Sequence, residues 1–261
     1  MNWLTKTLSS SIGRKISMSL TGLFLCSFLL VHVSINLMML VPDGGNMFNI
    51  WAEFMATNPV IRSLEVVLML GLLAHAYQGL SLAVTNRKAR GTVAYVVNHA
   101  EQNSRWASRN MALLGTLLLL FLGVHLMNFW MRSRFELMGG LAEVHILHVD
   151  HPVKDLYSLG AASFKIPWYV ALYVLAQVAL GYHLWHGFRS SVQSLGLNHR
   201  KYNPVLYGTG YVFSVVVPLL FALIPLVIFF SSAYQPREAT RNIINHSLKA
   251  KPTVQQPPAA E

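Results

Sequence analysis

Five stretches of the chain carry no Asp, Glu, Lys or Arg: Ile16–Pro42, Val66–Asn86, Asn110–Met131, Ile166–Phe188 and Tyr202–Pro236. Each is at least 21 residues long and rich in Leu, Val, Phe, Ala and Met. A helix needs about 20 residues to cross the hydrocarbon core of a bilayer. Inside lipid the backbone must satisfy its own hydrogen bonds, which demands helix. The pattern therefore predicts an all-α membrane protein with five transmembrane helices, I to V. Their expected spans are about residues 16–41, 63–86, 109–132, 166–190 and 207–231, within a membrane domain over residues 1–235. Residues 236–261 are polar, end in Gln-Gln-Pro-Pro-Ala-Ala-Glu, and read as a disordered tail. The first run is too long for the apolar stretch of a signal peptide and has no small-residue cleavage site before Pro42, so a retained helix is expected.

Composition agrees with this picture. Hydrophobic residues make up 54% and charged residues 11%, against about 25% charged in an ordinary soluble domain. The single cysteine, Cys26, excludes a disulfide framework or a thiolate cluster within the chain. The net charge of +10 gains meaning from its distribution. With the N-terminus inside, the inner segments hold Lys6, Arg14, Lys15, Arg87, Lys88, Arg90, Arg105, Arg109, Arg189, Arg200 and Lys201 against one acid, Glu101. These bases crowd the helix ends in short loops, where positive charge stays inside. The charge is thus a topology signal and an inner docking surface, and no nucleic-acid partner is needed to explain it.

Five histidines fall inside the spans: His32 on I, His75 on II, His125 on III, and His183 and His186 on IV. Ionisable groups at such depth are rare and usually functional, and neutral imidazole is a metal ligand. Helices I and III run outward and carry His32 and His125 about 27 and 24 Å from Arg14 and Arg109; helices II and IV run inward and carry His75 and His183 about 18 and 9 Å from Arg87 and Arg189. Two levels result, with two histidines at each. Bis-histidine ligation of haem needs one imidazole on each side of the macrocycle at one depth. The expected pairs are His32 with His125 at the outer level and His75 with His183 at the inner level. Gly71 and Gly79 flank His75, and Ala179 and Gly187 flank His183, leaving room for a flat group; Phe28, Asn36, Phe121 and Phe129 flank the outer pair. His186, one turn from His183, is the other candidate for the inner ligand; the small flanks favour His183 and leave His186 a supporting role.

His145, His148 and His151 lie in the longest outer connection, residues 132–165, beside Asp150 and Pro152, and read as solvated rather than zinc-binding. No His-Glu-x-x-His, Gly-x-Ser-x-Gly or phosphate-loop motif occurs, so the chemistry belongs to a cofactor. Glu53 and Glu65, near the expected outer end of helix II with Trp51, Phe54 and Arg62, are acids at the outer haem level. Either acid is a candidate proton acceptor for a quinol, with Arg62 able to pair with either one.

The strings Ser11-Ile12-Gly13-Arg14-Lys15, Val31-His32, Ala74-His75-Ala76-Tyr77-Gln78-Gly79, Val124-His125-Leu126 and His183-Leu184-Trp185-His186-Gly187-Phe188-Arg189-Ser190 carry a likeness. Over about residues 10–231 the chain resembles the dihaem cytochrome b (b558-type) membrane anchors of succinate dehydrogenases and fumarate reductases. That family has glycines four and thirteen residues after its helix IV ligand, here Gly187 and Gly196, which places the register on His183. The resemblance implies two haems b, a quinone substrate (menaquinone) near the outer haem, and flavoprotein and iron–sulfur partner subunits on the inner face of a prokaryotic cytoplasmic membrane. An acid near the start of helix II serves the quinone in some members, which implies Glu53. The alternative is a dihaem anchor for a hydrogenase, formate dehydrogenase or nitrate reductase. A transporter is the third reading, and the broken helices and repeats typical of transporters are not read in this sequence.

Overall fold

The computed structural model describes residues 10–91, 102, 104–136, 140–147 and 149–242. Seven helices of eight or more residues organise them: α1 (Ser11–Leu37), α2 (Asn46–Thr57), α3 (Pro59–Arg90), α4 (Met111–His125), α5 (Leu156–Ser163), α6 (Pro167–Ser194) and α7 (Asn203–Phe230). A 3-10 turn, Met38–Leu40, extends α1, and a wide π turn, Leu126–Met131, then Arg132–Phe135, extend α4. A two-residue hairpin, β1 (Glu143–Val144) against β2 (Val153–Lys154), makes the chain mostly rather than wholly helical.

Local chemistry sets the ends. The Ser10 side chain accepts from Gly13 N and starts α1. Asn58 accepts from the amides of Val60 and Ile61, and Pro59 occupies the first turn of α3, a position where a missing N–H costs nothing. Gly196 (φ 72°) closes α6 in the left-handed region that favours glycine. Pro218 and Pro225 lie inside α7. Pro218 cannot donate to the carbonyl of Ser214, four residues back. That carbonyl packs instead on α6, where a Cβ at Gly181 would stand only 3.2 Å from it.

Four helical segments are long and apolar enough to cross a membrane: Ser11–Leu40, Pro59–Arg90, Met111–Phe135 and Asn203–Phe230. A fifth span requires α6 with α5, which meet at a bend of 97°. The weaker apolar signal of α6 has a physical source. It carries Tyr169, Tyr173, Gln177, Tyr182, His183 and His186, and it packs on α1, α4 and α7. Tyr169, Tyr173 and Gln177 are buried among these neighbours, so this face need not be apolar. By contrast α3 has no buried residue. The bend between α5 and α6 is a break that the sequence reading did not expect.

Helices α1, α3, α4 and α6 form a four-sided bundle, with contacts α1–α3, α3–α4, α4–α6 and α6–α1 along its sides, and α7 packs outside against α1 and α6. The end bearing Arg87, Lys88, Arg90, Arg189 and Lys201 is called inner here, after the charge pattern. The other end is closed by a cap of α2, α5, the hairpin and residues 231–242. The main buried cluster, including Met39, Phe48, Tyr157, Ala161, Phe164, Ile224 and Ile228, lies under this cap.

Two expectations change here. The segment beyond Pro236, expected to be disordered, is docked through residue 242: Arg237 donates to Asp155 at 2.8 Å and Thr240 to the same carboxylate at 3.0 Å. A buried carboxylate draws hydrogen-bonding partners to itself, and these come from the tail. Residues 243–261 lie outside the described residues. Glu53 and Glu65 do not share a helix. Asn58, held extended before Pro59 (φ −63°, ψ 123°), ends α2 and caps α3. Glu53 is thus on α2 and Glu65 in the second turn of α3.

Candidate functional site: two facing histidine pairs

Each side of the bundle joins neighbours; each histidine pair spans a diagonal. His32 on α1 meets His125 on α4 with ring centroids 5.8 Å apart at an interplanar angle of 88°. His75 on α3 meets His183 on α6 at 6.2 Å and 65°. These are the two pairs expected from depth. Of the two α6 histidines, His183 is the one whose ring meets His75.

The levels can be read along three helices. On α1, Gly22 lies against His75, where an added Cβ would be 3.4 Å from His75 Cε1, and His32 follows ten residues later. On α4, Gly115 lies against His183 at 3.8 Å by the same measure, and His125 follows ten residues later. On α6, Tyr173 touches His125 and His183 follows ten residues later. Ten helical residues rise about 15 Å, so the three helices agree on two levels about 15 Å apart.

The surroundings differ between levels. At the outer level Phe28 stacks on His32 (5.0 Å, 19°) and Phe121 on His125 (5.9 Å, 29°), with Phe129 and Phe221 completing the cage. The phenyl groups flanking the pair thus pack on the imidazoles themselves. His32 Nδ1 lies 3.3 Å from Asn36 Nδ2, and His125 Nδ1 lies 3.1 Å from Tyr173 Oη. At the inner level His75 Nδ1 lies 3.2 Å from Thr21 Oγ1, while His183 Nδ1 is buried without a hydrogen-bond partner among the described residues. An open apolar groove of about 440 Å³ lies between α1 and α3 beside this pair, lined by Leu20, Thr21, Phe24, Leu70, Gly71 and Ala74. Of the flanking glycines, Gly71 borders this groove and faces Phe24, Gly79 faces Met18, and Gly187 opens on free space.

The donor set fits a bis-histidine haem. Two metal–imidazole bonds of about 2 Å each, with the width of the rings added, span about 6 Å between ring centres, as both pairs do. At His75 and His125 a hydroxyl oxygen that can accept lies against Nδ1, the arrangement that orients a ligating imidazole and leaves Nε2 for metal, whereas His32 meets the Asn36 amide nitrogen. His186 sits one turn beyond His183, half-buried, toward the inner end.

Glu65 is not paired with Arg62. Arg134, at the end of the α4 extension, donates to both Glu65 oxygens, Trp130 Nε1 donates to Oε1 at 2.5 Å, and Arg134 Nη1 reaches the carbonyl of Ala56 at 3.0 Å. The wide π turn after His125 carries these side chains to α3. Glu53 is half-buried and makes no ion pair among the described residues. His145 and His151 are exposed, His148 lies outside the described residues, and no three His, Cys, Asp or Glu side chains cluster as a metal site among those described.

Sequence reasoning overlooked Thr21, Gly22, Gly115 and Tyr173. Spacing along the chain identifies flanks on each histidine's own helix, whereas these residues approach from neighbouring helices. The ten-residue offset from His32 to Gly22 and from His125 to Gly115 is the signal that would have found two of them. Comparison with family models, with curated proteins and with solved structures found no match to the chain.

Proposed function

We propose that the chain is the membrane anchor and electron-transfer subunit of a succinate:quinone oxidoreductase, a succinate dehydrogenase or fumarate reductase, holding two haems b. The observation that carries this reading is the pair of diagonals: His32 with His125 and His75 with His183, both with ring centres about 6 Å apart, at two levels. Haem b, when bound, supplies one-electron redox chemistry. The residues do the rest. His32 and His125 would hold the outer iron and His75 and His183 the inner one. Phe28 and Phe121 fix the outer imidazoles by stacking, Thr21 orients His75, and Gly22 and Gly115 keep side chains away from the inner rings. The buried cluster beneath the cap shields the outer level from water, so a quinone (menaquinone) approaches it from the lipid. Glu53, half-buried and without an ion pair among the described residues, takes the quinol proton. The inner bases offer a docking surface for an iron–sulfur subunit, itself joined to a flavoprotein, at a prokaryotic cytoplasmic membrane.

The choice of succinate over hydrogen, formate or nitrate as the partner chemistry rests on the resemblance in sequence. Gly196 adds little to that choice, because its positive φ at the end of α6 already calls for glycine. The test is haem content and redox titration of the purified chain, followed by identification of what co-purifies. Two haems b and a flavoprotein that oxidises succinate are expected. Two haems with a different catalytic partner would make the chain another enzyme's dihaem anchor, and absence of haem would remove both readings.

A further inference from the structure

From His125 the outer level continues as a line of hydrogen-bonded side chains. Tyr173 Oη, 3.1 Å from His125 Nδ1, lies 3.0 Å from Tyr169 Oη. Asn128 Nδ2 donates to Tyr169 Oη at 2.9 Å and to Ser163 Oγ at 3.1 Å, and Ser163 Oγ donates to the carbonyl of Leu159 at 2.8 Å. Both tyrosines are buried. Phe121 and Phe164 hold the Tyr173 ring edge-on at 4.8 and 5.1 Å. The π turn begins at the residue after His125 and contains Asn128; such turns concentrate at functional sites.

Ser163 gives its own proton to the Leu159 carbonyl, so the Asn128 amide nitrogen is the donor to both Ser163 and Tyr169, and of the groups in this line only the Tyr169–Tyr173 pair can be oriented either way. An imidazole bound to metal through Nε2 carries its proton on Nδ1. Tyr173 then accepts that proton's hydrogen bond and donates its own to Tyr169. Hydrogen bonds in series polarise one another where water is excluded, and a firmer bond at Nδ1 makes the ligating nitrogen more basic. A more basic ligand favours the oxidised metal. The other three histidines differ: the Asn36 amide nitrogen faces His32 Nδ1, the Thr21 hydroxyl beside His75 gives its proton directly to the backbone carbonyls of Ser17 and Met18, and His183 Nδ1 has no partner among the described residues.

We propose that Tyr173, backed by Tyr169, is a positioning residue that fixes the ring of His125 and, by accepting its Nδ1–H, selectively lowers the reduction potential of the outer haem. This rests on the two-haem reading above. The test is a redox titration followed by electron paramagnetic resonance on the purified full chain, with the outer haem identified as the one that His32→Ala removes. Tyr173→Phe raises the outer potential by about tenfold in the redox equilibrium, about 59 mV for one electron, changes that haem's low-spin signal, and leaves the inner haem as it was. Tyr169→Phe keeps the phenol on His125 but removes its backing, and gives a smaller shift of the same sign; it decides the matter if Tyr173→Phe loses haem. An outer potential and signal unchanged in these variants, or equal shifts of both haems, overturn the proposal while the two-haem reading stands. A wild-type chain without haem removes both.

Discussion

Asn49 and Asp155, 106 positions apart, are both fully buried and joined by a 2.9 Å hydrogen bond. Asp155 also caps α5 through Ser158 N and receives Arg237 and Thr240, while Asn49 accepts from the amide of Tyr157. One carboxylate thus ties α2, α5 and the C-terminal segment together over the outer histidines. Asp155→Ala leaves Asn49 and Thr240 buried without this acceptor and takes the charge partner from the partly exposed Arg237, and an unsatisfied buried donor costs about 1–3 kcal/mol. Thermal unfolding in detergent, with haem absorbance followed, should show the outer haem released first and well below the wild-type temperature. An unchanged melting curve would show that the cap does not support the outer level.

The diagonals make a sharp prediction about stoichiometry. His32→Ala or His125→Ala should each lower haem content from two to one per chain and leave the inner haem. His75→Ala or His183→Ala should do the converse. His186→Ala should retain both, because its neighbour His183 is the ring that meets His75. Haem per chain measured on each purified variant checks this, and retention of two haems by His183→Ala with loss by His186→Ala would reverse the assignment.

Much of this arrangement was legible in the sequence because lipid enforces simple rules. Charge-free runs mark helices, and a histidine's distance from the flanking arginine fixes its depth, so the pairing His32–His125 and His75–His183 could be read without coordinates. What depth cannot give is azimuth. Which residue of a neighbouring helix touches a ring depends on crossing geometry, and so Tyr173, Gly22 and Gly115 stayed hidden. The cap was illegible for another reason. Its segments are short, and Asn46, Asn49, Asp155, Arg237 and Thr240 look like ordinary loop polar residues until a long-range fold buries them together. The docking of residues 237–242 follows from that burial, not from any local propensity.

Gly22 offers a graded test of the inner level. A methyl there would meet His75 Cε1 at ordinary contact distance, 3.4 Å, so Gly22→Ala should keep both haems. Gly22→Val adds two methyls in the same direction, and overpacking of this kind costs about 1–3 kcal/mol or displaces the neighbour. The neighbour is the proposed ligand, so the inner haem should be lost and the outer retained. Absorbance at both levels, separated by redox titration, reads this out; equal loss of both haems would mean that the substitution disturbs the bundle as a whole.

Glu53 and Glu65 separate a chemical role from a structural one. A base that accepts a quinol proton must have a carboxylate free to take it. Glu65 is engaged by Arg134 and Trp130, whereas Glu53 has no ion pair among the described residues and stands half-buried on α2. Glu65→Gln should therefore loosen the junction of α3 with the α4 extension by about 1 kcal/mol, the scale of a partly exposed ion pair, and leave quinol turnover within a few-fold of wild type. Glu53→Gln should keep stability and haem content but slow quinol-linked reduction of the outer haem by about 100-fold, the lower range for losing a general base. Stopped-flow haem reduction by a menaquinol analogue, run beside thermal unfolding of the same preparations, distinguishes the two. If Glu65→Gln stops the reduction and Glu53→Gln does not, the proton acceptor is the paired acid, and its ion pair with Arg134 must open for each turnover.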